Sequence, residues 1–139
     1  MIAQMGKTDR GKHKTTDPDG RSVYIIEIDP RWNDVVERKA KESLAPGRCA
    51  FYVGETGLYP GARLTKHRRG AKAGSIFKRI RRARERNGEK KTLEESVDVH
   101  LRRDLMEHYP NKLSGKDAKK WEKKVTSELR SEGHIVFSN

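Results

Sequence analysis

A single cysteine, Cys49, occurs in the 139 residues of the chain. One cysteine excludes an internal disulfide and a cysteine-rich zinc site, and a reducing, cytoplasmic setting is the expectation that follows. No apolar run approaches the ~20 residues that a membrane-spanning helix requires. The opening stretch, MIAQMGKTDRGKHKTTDPDG, lacks the apolar segment of a secretory signal. There is no glycine-rich phosphate loop, no dinucleotide fingerprint and no zinc-ligand spacing. His13, His100, His108 and His134 are scattered, which is the usual pattern of structural or surface histidines. Acidic residues are also short in supply: 20 Asp and Glu stand against 32 Lys and Arg, a net charge of +12.

What is present is charge, unevenly placed. Hydrophobic residues make up 32% of the chain and charged residues 37%, so one compact core must carry a large polar surface. From Gly61 to Lys90 there are twelve basic residues and only two acidic ones, Glu85 and Glu89. A merely solvated surface mixes signs, and this segment does not. Its partner is therefore expected to be a polyanion, nucleic acid before an anionic membrane surface.

Residues 1–21 are polar and aperiodic and read as a disordered basic tail, leaving 22–139 as one domain. SVYIIEI, Ser22 to Ile28, reads as a strand. Asp29-Pro30 follows as a helix start, with Trp32, Val35, Val36 and Ala40 at helical spacing until Pro46-Gly47. CAFYVG, Cys49 to Gly54, reads as a second strand. Helices are expected over Ala62–Arg69 and Ser75–Arg86, the latter with Ile76, Phe77, Ile80 and Ala83 inward and a stop at Asn87-Gly88. Ser96–Leu101 alternates as a strand should. Ser114, with Asp117 three residues on, opens a helix from Gly115 to Ser131 that ends before Gly133, and Ile135–Phe137 suits a short edge strand. The order predicts a small α+β (mixed α/β) domain, a sheet packed by helices.

Several residues sit oddly in these elements. In the last helix Ala118, Trp121, Val125 and Leu129 share a stripe, and Glu122 falls inside it. A carboxylate facing a core costs free energy unless it is paired or holds a metal. Either a rim salt bridge or a metal-binding role would explain it. Arg63 and His67 share a face of the 62–69 helix and could grip a phosphate, or be ordinary edge residues. Tyr24 and Tyr52 are central in their strands. Packing explains both, although a tyrosine near a cation can also move protons. Gly54 ends the second strand and permits close approach.

Taken in order, these residues resemble the GIY-YIG nuclease family. Ser22-Val23-Tyr24 is similar to its Gly-Ile-Tyr element, and Tyr52-Val53-Gly54, followed by Glu55-Thr56, to its Tyr-Ile-Gly element. Arg63 and His67 fall where the family keeps an Arg and often a His. Glu122 matches its metal-binding Glu, and Asn139 is placed to match a conserved Asn. The resemblance runs over most of the chain, from Ser22 to Asn139. It implies a mixed sheet of three strands flanked by helices, and hydrolysis of DNA, duplex or branched, with one Mg²⁺ or Mn²⁺ ion. Glu122 would ligate the metal, Tyr24 would be the general base, Tyr52 would position water or phosphate, Arg63 would offset charge on the phosphate, and His67 would assist Tyr24 or contact phosphate. Lys66, Arg68, Arg69, Lys72, Lys78, Arg79, Arg81 and Arg82 would bind the nucleic-acid backbone beside that site.

The chain also departs from the family. Ser22 replaces its first Gly. The tyrosines, at positions 24 and 52, are 28 residues apart, so 30–47 reads as an inserted helix or loop. Family members often carry a separate DNA-binding domain, which this length does not accommodate. The basic helices, a second copy of the chain or a partner protein must then supply binding. The rival reading is a non-catalytic nucleic-acid-binding module of the same fold.

Overall fold

The computed structural model describes residues 20–57, 75–88 and 99–138. The expected tail through residue 19, the 62–69 helix and Asn139 lie outside the described residues.

The β-branched and aromatic run Ser22–Ile28 forms β1, and Ala50–Thr56 forms β2, its antiparallel neighbour. Between them Asp29 caps a 3₁₀ turn, Pro30–Trp32, by accepting the Arg31 N–H at 2.9 Å. The α-helix that follows, α1, spans Asn33–Ala40 and stops where Lys41 turns left-handed. Helical structure thus ends well before Pro46. The segment is no appendage: Trp32, Val35 and Val36 are core residues.

Helix α2, Ser75–Arg86, buries Ile76, Phe77, Ile80 and Ala83 as the periodicity predicts, and Gly88, at φ +77°, follows its end. Arg84 on the same helix is buried as well. β3 is Val99–Leu101, and a short helical turn, α3, spans Arg103–Met106. Helix α4, Gly115–Ser131, begins with Ser114 Oγ accepting the Asp117 N–H at 3.1 Å. It ends with two bonds: Gly133 N–H to the Arg130 carbonyl at 3.0 Å, and His134 N–H to the Leu129 carbonyl at 3.2 Å. This is the Schellman pattern, with Gly133 at φ +95° in the position that needs it. β4 is Ile135–Ser138.

The sheet has four strands in the order β3-β1-β2-β4, which corrects the expectation of three. The extra strand is β4, which α4 returns to the sheet parallel to β2, with Ile135 opposite Ala50 and Ser138 opposite Val53. Cys49 N–H donates to His134 Nδ1 at 3.0 Å and fastens the start of that pairing.

Strand alternation splits the core in two. Tyr24, Ile26, Ile28, Ala50, Tyr52 and Ile135 pack with α1 and α2. Val23, Ile25, Phe51, Val53 and Val136 pack with Val125 and Leu129 of α4. Helices α2 and α4 therefore cover opposite faces. Among the described residues no helix is long and apolar enough to cross a membrane.

Candidate active site at the open end of β2

β4 pairs with β2 only as far as Val53. Gly54, Glu55 and Thr56 pair with β1 and have no strand on their other side among the described residues. Tyr24 and Gly54 meet at this stretch on the α1/α2 face of the sheet and Glu122 comes to it on the α4 face, so the sheet lies between the tyrosine and the carboxylate.

From the α1/α2 face comes Tyr24. It lies opposite Gly54 in the β1–β2 register, and its ring is fully buried. A Cβ added at Gly54 would stand 2.4 Å from the Tyr24 hydroxyl and 2.5 Å from its ring carbon Cζ. Glycine is thus required by space: the phenol occupies the volume that any side chain would fill. Tyr52 is the diagonal neighbour on the same face, stacked on Tyr24 with ring centroids 6.2 Å apart and tilted against Phe77 at 5.0 Å. The packing role that strand tyrosines usually have is therefore real for both, and it holds the Tyr24 hydroxyl in one place.

From the other side comes Glu122. It is 7% exposed, more deeply set than the half-buried Trp121, so it lies within the stripe and not at its rim. The Glu55 backbone N–H hydrogen-bonds its carboxylate, but among the described residues Oε2 has no hydrogen-bond partner. Burial raises the Glu122 pKa above the usual carboxylate range, and the nearby Glu55 carboxylate raises it further. Lys119, the Glu55 N–H and Lys123 oppose the shift. Among the described residues no salt bridge to Glu122 is formed: Lys119 Nζ reaches Glu55 Oε2 instead, at 3.9 Å, and Arg21 Nε takes Glu55 Oε1.

Glu55 is the residue whose role the sequence reading missed. An acid directly after Gly54 in an apolar strand was the available signal. Its two oxygens are engaged by Arg21 and Lys119, so it acts as a fixed negative neighbour of Glu122. Arg21 is itself held by a two-bond bridge to Leu113, its N–H to the Leu113 carbonyl at 3.0 Å and the return bond at 2.8 Å. That bridge ties the start of β1 to the start of α4.

Carboxylate oxygens are the ligands a hard divalent cation takes. Glu122 has one oxygen without a hydrogen-bond partner among the described residues, and the Glu55 carboxylate beside it adds negative potential. Among the described residues no group of three or more His, Cys, Asp or Glu is assembled, so no all-protein cage is found there. One carboxylate plus waters and substrate oxygens is the manner in which Mg²⁺ is commonly bound.

Two parts of the expected site are not brought together with Glu122. Lys78, Arg79, Arg81 and Arg82 are exposed on α2, on the sheet face opposite α4, so they do not border Glu122 as expected. Arg63, His67, Lys66, Arg68, Arg69, Lys72 and Asn139 lie outside the described residues. No protein-family model matches the chain, and neither a curated protein nor a solved structure matches it.

Proposed function

We propose that this protein is a divalent-metal-dependent endonuclease that hydrolyses DNA phosphodiester bonds, with its reaction centre at the open end of β2. The observation that carries the reading is the buried Glu122 carboxylate, set beside Glu55, whose Oε2 has no hydrogen-bond partner among the described residues. A fold gains nothing from a buried acid without a full set of partners. A metal-binding site requires one.

Glu122 would hold the cation through Oε2. When bound, Mg²⁺ or Mn²⁺ would supply Lewis-acid stabilisation of the leaving oxygen. The general-base role of Tyr24 rests on the sequence resemblance: it would take a proton from the attacking water as the bond from that water to phosphorus forms and the bond to the leaving oxygen breaks. Tyr52 holds Tyr24 by stacking. Gly54 gives the phenol its space. The roles of Arg63, offsetting charge on the phosphate, and of His67, assisting Tyr24, rest on the sequence resemblance. The excess of +12, with the exposed basic face of α2, supports a nucleic-acid substrate.

The test is plasmid nicking by the purified chain in Mg²⁺, Mn²⁺ or EDTA, beside Glu122→Gln. Metal-dependent nicking that vanishes in Glu122→Gln while DNA binding persists supports the reading. Tight, salt-sensitive binding with no cleavage in either metal would replace it with a non-catalytic binding module.

A further inference from the structure

Helix α4 is segregated by charge around its own axis. At ~100° per residue, Lys116, Lys119, Lys123 and Arg130 fall on one flank, next to Glu122. All four are exposed, and Lys119 shows 72% of its side chain. The opposite flank carries Asp117, Trp121 and Glu128. There Tyr109 donates to Glu128 at 3.1 Å and packs on Trp121 at 6.0 Å, while Lys124 sits 4.5 Å over the Trp121 ring. The second flank thus mixes signs, as a solvated helix surface does, while the four exposed charges of the first are all basic. Two contacts fix the direction of the basic flank. Lys119 reaches Glu55 of β2, and Arg130 donates to the Val136 carbonyl of β4 at 2.7 Å. The flank thus overlooks the β2–β4 edge. There Arg130 and Lys39 line one cleft with Tyr52, Ser75 and Ser138.

We infer that a DNA sugar–phosphate backbone is held along this flank of α4, with Lys116 and Lys123 as phosphate contacts that carry the strand past Glu122 toward the cleft of Arg130 and Lys39. The inference rests on the nuclease reading of Glu122 and deepens it by naming the surface that presents the substrate. Helix α2 is basic too, but it covers the other face of the sheet. Among the described residues, the lysines whose charge acts on the Glu122 carboxylate, Lys119 and Lys123, belong to α4. They also resolve a conflict of charge, because an anionic backbone must approach a site built from Glu55 and Glu122. Ammonium groups placed alongside offset that repulsion and position the strand without reading its sequence.

The experiment compares the full chain with Lys116→Gln/Lys123→Gln and with Lys124→Gln, using a fluorescently labelled duplex in EDTA over a series of salt concentrations. Lys123 and Lys124 are adjacent in sequence yet ~100° apart around the helix, so the single variant removes a lysine of the same helix that points another way. The double variant is expected to lose at least about tenfold in affinity, and its log–log salt slope should fall by about 2, since each phosphate contact contributes ~0.9. Lys124→Gln is expected to keep both affinity and slope. All three lysines are exposed, so circular dichroism should show the fold unchanged. If the double variant keeps the affinity and slope of the wild type, the flank proposal is overturned, and metal-dependent nicking still decides the nuclease reading separately. If the wild type binds no duplex, the flank proposal falls, and metal-dependent nicking again decides the nuclease reading by itself.

Discussion

Glu122 concentrates the conflict between stability and use in this molecule. Its charge is buried, one oxygen lacks a partner among the described residues, and Glu55 stands beside it. Because folding raises its pKa, the neutral acid is favoured by the native state. Its contribution to stability is present below the ordinary carboxylate pKa and is lost as pH rises through the raised folded value. Glu122→Gln should therefore match the wild type near pH 4 and exceed it at neutral pH, by about 1 kcal/mol. Urea unfolding at the two pH values reads the difference, and a variant less stable at neutral pH would refute it. Added Mg²⁺ should raise the wild-type midpoint and leave the variant unmoved. Gly54 is the other decisive residue. A methyl group at 2.4 Å from the Tyr24 hydroxyl must displace the phenol. Gly54→Ala is expected to cost about 2–3 kcal/mol by overpacking and to abolish cleavage together with the Tyr24–Tyr52 stack. Unchanged near-ultraviolet dichroism in that variant would contradict the account.

At the scale of elements, α4 does the most with the fewest residues. Ser114 starts it, Gly133 ends it, Val125 and Leu129 seat it on the sheet, and Glu122 faces the open end of β2. Ser114→Ala should lower stability by about 1 kcal/mol. If the cap also sets the registration of Glu122, Mg²⁺ affinity should weaken with it, a coupling that calorimetry can read. Helix α1 makes the opposite case. The 30–47 segment, read as an inserted helix or loop, contains α1, where Val36 is fully buried, and Trp32 just before it is nearly so. Val36→Ala should cost about 2 kcal/mol through its cavity, measured as a shift in denaturation midpoint. An appended loop would tolerate the change without loss.

At the scale of the whole molecule, charge and topology divide the work. The sheet separates α2 from α4, so the described residues present a basic surface on each face. Binding to duplex DNA should weaken steeply between 50 and 200 mM salt, as expected for a chain of net charge +12. A flat salt dependence in anisotropy titrations would count against a phosphate-led interface. Across the sheet, Arg102 binds both Glu27 of β1 and Asp104 of α3, which holds the Asp104 carboxyl down at about 2. This ties β1 to the turn that precedes α4.

Local chemistry in the sequence determined the bounds of β1, α2 and α4, the Ser114 cap and the Gly133 stop, because each depends on residues within a turn or two of one another. The inward stripe of α2 and the odd position of Glu122 were legible for the same reason: periodicity is a local property. The fourth strand was only half visible, since Ile135–Phe137 becomes an edge strand through its pairing with β2, far off in the chain. Tertiary structure alone decided that α2 and α4 lie on opposite faces, which moves the basic helix away from Glu122. It also decided that Glu55 and Lys119 pair with each other, leaving Glu122 Oε2 without a partner among the described residues. Those outcomes depend on how strands stack and where they end, and no run of neighbouring residues encodes them.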